Sequence, residues 1–282
     1  MLTSQLIFTI ILIVAVFSIS LVIAMYSTYA ERKVAAFMQD RIGPNRAGPF
    51  GLLQPLADGV KLFMKEEIIP TVSNRWLFIL GPGVAMTTAL MTSAVLPWGK
   101  GLTIGGEFYA MQVTDVNIGI LYMFGVVSIG VYGIMIGGWA SNNKYSLMGA
   151  LRASSQMISY EIAMGLAIIA LVMMTGTLSV REIAEQQAGA HWNVFYQPLG
   201  FLIFIVCAFA ECNRTPFDLP ECESELVGGY HTEYSSMKFA LFFMGEYANM
   251  VAAAALMTTL FLGGWSLPVA GLNQPAATIG AG

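Results

Sequence analysis

Charge is scarce in this chain of 282 residues. Asp, Glu, Lys and Arg together make up 11% of it, less than half of the roughly 25% usual in a soluble domain. Histidine occurs twice (His191, His231) and cysteine three times (Cys207, Cys212, Cys222), and no CxxC, HExxH or phosphate-loop pattern occurs. An iron–sulfur cubane needs about four thiolates, and a pair of haems needs a comparable set of axial ligands. The chain is therefore expected to bind no metal or redox cofactor by itself. An odd cysteine count without paired spacing also argues against a disulfide framework. Disorder is excluded too, since it requires low hydrophobicity and high charge.

What the chain has in excess is apolar surface. Hydrophobic residues reach 56%, with a mean hydropathy of +0.68. A soluble fold of ordinary composition already exposes about 55–60% apolar area and could not hide more. The class that remains is an all-α polytopic membrane protein, read as a single membrane domain over residues 1–282. Six stretches, near residues 5–29, 76–96, 117–138, 156–174, 194–210 and 237–263, are long and apolar enough to cross about 30 Å of hydrocarbon as helices. The fifth is the shortest and carries Pro198 in its first turn, where proline is tolerated. The first is not a cleavable signal, because no Lys or Arg precedes it while Arg32 and Lys33 follow.

Alternating sides puts residues 30–75, 139–153 and 211–238 together, and they hold eleven of the thirteen basic residues. The positive-inside rule then makes these loops cytoplasmic and the N-terminus external. Cys212 and Cys222 would face a reducing compartment. A net charge of −4 says little about partners beside that distribution.

The loops carry the chemistry. Residues 51–66 read GLLQPLADGVKLFMKE, with apolar side chains at three- and four-residue spacing and Gln54, Asp58, Lys61 and Lys65 between them. This is an amphipathic helix for the membrane interface. It either seals the rim of the bundle or borders a lateral opening, which a lipid-soluble substrate would need because its apolar tail gains nothing by crossing water. Glu161 lies nearly two turns inside the fourth predicted span. An ionisable residue there costs several kcal/mol on roughly any scale and so faces a polar interior. It is either a glutamate bonded to a neighbouring helix or a proton-relay carboxylate, and the relay is preferred. The third loop gathers Glu211, Asp218, Glu221, Glu223, Glu225 and Glu233 against Arg214, and Glu246 follows in the sixth span. A run of acids is usually a solvated face. Here Pro216, Phe217, Leu219, Pro220, Leu226 and Val227 predict a loop folded back on the bundle, where packed carboxylates titrate as a coupled set. LSVREIAEQQ, from Leu178, predicts a short surface helix with Ser179 as its N-cap.

Three blocks resemble one family: ERKVAAFMQDRIGPNRAGPFGLLQPLADGVKLFMKE, GWASNNKYSLMGALRASSQMISYE and NRTPFDLPECESELVGGYHTEYSSMKFALFFMGEYANM. It is the family of the membrane-embedded H subunit of NADH–quinone oxidoreductase (respiratory complex I), the counterpart of mitochondrial subunit 1. The resemblance runs from Glu31 to about Trp265. It implies a quinone-channel and coupling subunit, in which the first span, the amphipathic helix and the sixth span border the quinone entrance. Glu31, Arg32, Arg41, Arg46, Gln54, Asp58, Arg214 and Phe217 would line or brace the channel. Glu161, Glu211, Asp218, Glu221, Glu223, Glu225 and Glu246 would form the proton relay. It further implies quinone as substrate, with FMN and iron–sulfur clusters in partner subunits. Those partners would be the hydrophilic-arm subunits beside the terminal cluster, the antiporter-like and small membrane-arm subunits, and the lipid bilayer; nucleic acid is not expected. The expected location is the bacterial inner membrane, or the mitochondrial inner membrane as the alternative. Family members normally carry two further spans beyond the position of Trp265, and LPVAGLNQPAATIGAG is too short and too rich in Gly and Pro to supply them. Two other classes are weighed. A hydrogenase-type membrane subunit would use the same glutamates without quinone, and an autonomous secondary transporter would carry internal repeats, of which none is found.

Overall fold

The computed structural model describes residues 2–189, 191–218, 226–266 and 277–279. Helix α1 (Leu2–Met38) is followed by α2 (Gln54–Met64), α3 (Arg75–Thr92), α4 (Gly119–Ala140), α5 (Lys144–Thr175), α6 (Val180–Gln186), α7 (Asn193–Tyr196), α8 (Pro198–Glu211) and α9 (Ser236–Phe261). Four of them, α1, α4, α5 and α9, are long and apolar enough to cross a bilayer. The 18 residues of α3 and the 14 of α8 rise only about 27 and 21 Å. The fold is that of an all-α polytopic membrane protein, with one small addition. Strands β1 (Leu102–Ile104) and β2 (Glu107–Tyr109) form a hairpin, and β3 (Ala277–Ile279) pairs parallel to β1. The turn of that hairpin is Gly105-Gly106, both at positive φ (59° and 86°), as a tight two-residue hairpin turn demands.

Local sequence explains several boundaries. Helix α1 overruns the span expected at residues 5–29 by more than two turns and carries Glu31, Arg32 and Lys33 on the same rigid rod. It stops where Asp40 turns left-handed (φ 54°) and the Arg41 N–H returns to the Ala36 carbonyl at 2.8 Å, a C-terminal closure of the Schellman type. The stretch 139–153, expected as a loop, is mostly helix. Asn143 caps α5 by accepting from the Tyr145 N–H, and only residues 141–143 separate α4 from α5. Glu161 consequently sits nearly five turns into its helix, by about 3.6 residues per turn, rather than near one end. The expected fifth span is broken at Gln197, so that Pro198 opens α8, where its missing N–H costs nothing. The short helix expected after Leu178 is α6, and Ser179 does cap it, accepting from the Glu182 N–H.

Helices α3 and α4 approach at backbone distance. A Cβ on Gly133 would stand 2.8 Å from the Ala85 nitrogen, and one on Gly81 would stand 2.9 Å from the Gly137 Cα, so only glycine allows this contact. Pro82 lies inside α3 and cannot donate to the Phe78 carbonyl four residues back. The Tyr234 hydroxyl donates to that carbonyl instead, at 3.1 Å, while its ring stacks on Phe78.

The apolar interior forms two clusters. One includes Ile120, Met123, Met164, Ile168, Phe204 and Leu256; the other includes Phe78, Val131, Ile134, Met157, Tyr230 and Phe242. The helix positions between them are polar: Ser128 on α4, Glu161 on α5 and Glu246 on α9. The outer faces of α1, α4 and α5 remain apolar and exposed, as a lipid-facing surface would be.

Candidate functional site

The polar level inside the bundle is the first part of the site. Glu246, on α9, is buried and accepts a hydrogen bond from the Tyr230 hydroxyl at 2.7 Å. Glu211, the last residue of α8, is buried as well, and neither of its carboxyl oxygens has a hydrogen-bond partner among the described residues. Both carboxyls line a cavity of about 30 Å³, with Thr88, Asn213, Tyr230 and Asn249 on its wall. By the roughly 10–15 Å³ that one water needs, about two or three waters fit there. Glu161 is half-buried, contacts the Ser128 hydroxyl and is close enough to Glu211 for their charges to repel. Gln156, one turn before Glu161, fixes the chain leaving α8. Its amide donates to the Ala210 carbonyl at 3.0 Å, the Asn213 side chain at 3.2 Å and the Phe217 carbonyl at 2.8 Å.

A second cluster joins α1, α9 and the segment after α8. Arg214 reaches both carboxyl oxygens of Glu31 at 3.3 Å, and the Tyr247 hydroxyl donates to the same carboxylate. The guanidinium lies 4.0 Å above the Tyr247 ring, a cation–π contact. Its Nε and Nη2 have no partner among the described residues.

The third cluster ties α1 to α2. Asp58 accepts from Arg32 at 2.5 Å, Gln54 at 3.2 Å and Lys61 at 3.3 Å. Burial alone would push the Asp58 carboxyl up, but the Arg32 guanidinium, Lys61 and Gln54 outweigh it and hold the group below its ordinary range. The Tyr29 hydroxyl donates to the Phe50 carbonyl at 2.7 Å, and Lys33 to the Ile42 carbonyl at 3.0 Å. On the open side of α2, Leu56, Val60, Phe63 and Met64 are exposed, the apolar stripe expected of an interfacial helix.

The expected channel residues thus fall into two groups. Glu31 with Arg214, and Arg32 with Gln54 and Asp58, are brought together at the seams of α1. Phe217 packs edge-on against Tyr160 of α5 at 5.1 Å. Arg41 and Arg46 are exposed on the loop between α1 and α2, Arg41 against Gln39. Of the expected relay, Glu161, Glu211 and Glu246 converge, and Asp218 lies on the segment leaving α8. Glu221, Glu223 and Glu225, with Cys222, lie outside the described residues. Tyr230, Tyr247, Ser128 and Gln156 were not expected from the sequence. The signal for the tyrosines was a phenol within apolar sequence, because a buried phenol needs a partner. Among the described residues no group of His, Cys, Asp or Glu is placed to hold a metal.

Fold and site together define a polytopic helical membrane protein that gathers ionisable side chains inside its bundle. The family model described as NADH dehydrogenase matches residues 10–280. The chain is 71% identical over 272 residues to the first H subunit of the NADH-quinone oxidoreductase of Cytophaga hutchinsonii, covering 95% of this chain and 80% of that protein. It is 66% identical over 258 residues to the H subunit of the Flavobacterium johnsoniae enzyme (92% and 74%), and 53% identical over 267 residues to the second H subunit of the Geobacter metallireducens enzyme (91% and 77%). The chain belongs to the NADH dehydrogenase family of membrane subunits, that of the H subunit of NADH-quinone oxidoreductase.

Proposed function

We propose that this chain is the quinone-channel and coupling subunit of a proton-pumping NADH–quinone oxidoreductase in a bacterial cytoplasmic membrane, with its N-terminus on the periplasmic side. Quinone enters sideways from the lipid between α1, α2 and α9. Its headgroup is reduced by partner subunits that carry FMN and the iron–sulfur clusters, while this chain supplies the passage and the proton-handling carboxylates. Hydrophilic-arm subunits dock on the basic cytoplasmic loops, and the antiporter-like subunits continue the carboxylate path.

The observation that carries this reading is the placement of Arg214. It pairs with Glu31 on α1, stacks on Tyr247 of α9, and lies within the field of Glu246. One cation therefore stands between the wall of the passage and the interior acids. Charge appearing on a reduced quinone near that wall changes the balance felt by Glu246, and a shared cavity with room for water joins Glu246 to Glu211. Closely spaced carboxylates cannot all carry charge at low cost, so a proton gained by one favours release by another. The relatives' names supply NADH and quinone as the reactants.

The test is Glu211→Gln combined with Glu246→Gln in the assembled complex. NADH oxidation by the partner subunits with an artificial acceptor should persist, whereas quinone-linked proton uptake should fall about a hundredfold or more, the scale of losing one general acid–base step. Normal quinone-linked proton translocation in that variant would refute the relay. Glu221→Gln with Glu223→Gln should likewise lower quinone reductase activity while the complex still assembles.

A further inference from the structure

The first turn of α9 is built against its own helix. Ser235 occupies the N-cap position but makes no cap bond. Its hydroxyl instead accepts from the Ile68 N–H at 3.2 Å and donates to the Glu66 carbonyl at 3.4 Å. Ser236 sits in the left-handed region (φ 57°), which costs a non-glycine residue free energy unless its surroundings hold it there. Its hydroxyl donates to the Leu62 carbonyl at 3.0 Å. Lys238 places a cation at a helix N-terminus, the unfavourable end of the dipole, and is only 6% exposed. It is held by an ion pair to Glu67, with its ammonium 5.8 Å above the face of Phe78 on α3.

Three departures from helix preference within one turn thus point to one place, the end of α2 and the connector that follows it. The opposite flank of α2 is fixed to α1 through Asp58. We propose that Ser235, Ser236 and Lys238 form a latch that positions the C-terminal end of α2, and that Lys238 is a positioning residue for the lateral opening. This rests on the reading that α1, α2 and α9 border a quinone entrance. Lys238 does not touch the substrate. It sets the gap between α2 and α9 through Glu67, and a bulky tail passing that gap depends on its width more than a small headgroup analogue does.

Glu67→Gln is the informative variant, because Glu67 is half-exposed and its replacement leaves the core intact. In the assembled complex, amide hydrogen exchange over residues 62–70 should quicken about tenfold relative to residues 29–38, reflecting local opening of the latch. The KM for a long-tailed quinone should rise about fivefold with kcat retained, and the KM for a short-tailed quinone should stay at the parent value, as expected when binding of the tail alone is weakened. Lys238→Arg alone, which keeps the cation over Phe78 and the partner for Glu67, should retain parent behaviour in both measurements. Unchanged exchange over residues 62–70 would overturn the latch. Faster exchange with unchanged long-tail KM, while Asp58→Asn raises that KM, would overturn the positioning role and leave the entrance in place. If Asp58→Asn were equally silent, the entrance reading would fall and the positioning role with it.

Discussion

Replacing Arg214 by lysine separates what its charge does from what its shape does. The guanidinium serves two partners at once: both Glu31 oxygens at 3.3 Å and the Tyr247 ring at 4.0 Å. The Arg214 side chain is 18% exposed and that of Glu31 is 55% exposed. A half-exposed pair is worth at most about 1 kcal/mol, whereas a cation over a partly desolvated aromatic face contributes about 0.5–2 kcal/mol. An ammonium keeps the charge but is a compact point that cannot span both contacts. The loss is then about 1–2 kcal/mol, roughly five- to thirtyfold in an equilibrium constant. In steady-state assays of NADH–quinone activity, Arg214→Lys should raise the quinone KM within that range. Tyr247→Phe, which keeps the ring, should cost less than Tyr247→Leu, and Arg214→Lys with Tyr247→Leu should be less than additive because the two residues touch. Parent-like kinetics in Arg214→Lys, or full additivity in the double variant, would refute the argument that stacking holds this cation.

Tyr230→Phe removes a fully buried hydroxyl bonded to Glu246; a hydrogen bond is worth about 0.5–1.5 kcal/mol net, so proton translocation should slow measurably while the complex still assembles. Gln187, fully buried, donates to the Ile183 and Thr259 carbonyls and accepts from the Asn193 and Gly263 N–H groups. Gln187→Leu strands those groups at about 1–3 kcal/mol each, so the midpoint of thermal inactivation of the complex should drop clearly in a scan followed by activity. For Asp58, a folded-state pKa held below the ordinary 3.8 means that its bonds to Arg32 and Lys61 contribute fully above about pH 4 and are lost as pH falls below it. Hydrogen-exchange protection of residues 54–64, corrected for intrinsic rates, should be flat from neutrality to about pH 5 and fall below pH 4, and the fall should vanish in Asp58→Asn.

The helices were legible because their signals are local. Apolar runs mark α1, α4, α5 and α9, and three-and-four spacing marks α2. Composition alone could not show where helices overrun the lipid. Glu31 to Met38 and Lys144 to Ser155 are polar enough to read as loop, yet helix formation there continues rods already nucleated in the membrane, and propagation is cheaper than nucleation. The carboxylates were recognisable as residues but not as a group. Their meeting depends on the register of α5, α8 and α9 against one another, which no single stretch encodes. The same holds for Tyr234 and Pro82: proline predicts a freed carbonyl, but not the phenol 156 positions away that bonds it.

The register also explains why the two functions proposed for this chain sit so near each other. Glu246 and Tyr247 are adjacent on α9, so they face different neighbours. Glu246 turns to the cavity it shares with Glu211, and Tyr247 turns to Arg214 and Glu31 at the seam with α1. A one-residue shift of α9 would break both environments, placing either the Tyr247 phenol in the cavity with Ala248 beside Glu31, or Gly245 in the cavity with the Glu246 carboxylate against Glu31. What keeps α9 from shifting is its first turn, where Ser236 and Lys238 are held by Leu62 and Glu67, and its middle, where the Glu246 carboxylate is held by Tyr230. The same helix thus carries the wall of the proposed passage on one side and the interior acids on the other. A rotation of α9 by even a fraction of the roughly 100° between successive residues would alter both together. In the proposed function, α9 and the cation stacked on it are the element that would link quinone entry to proton movement.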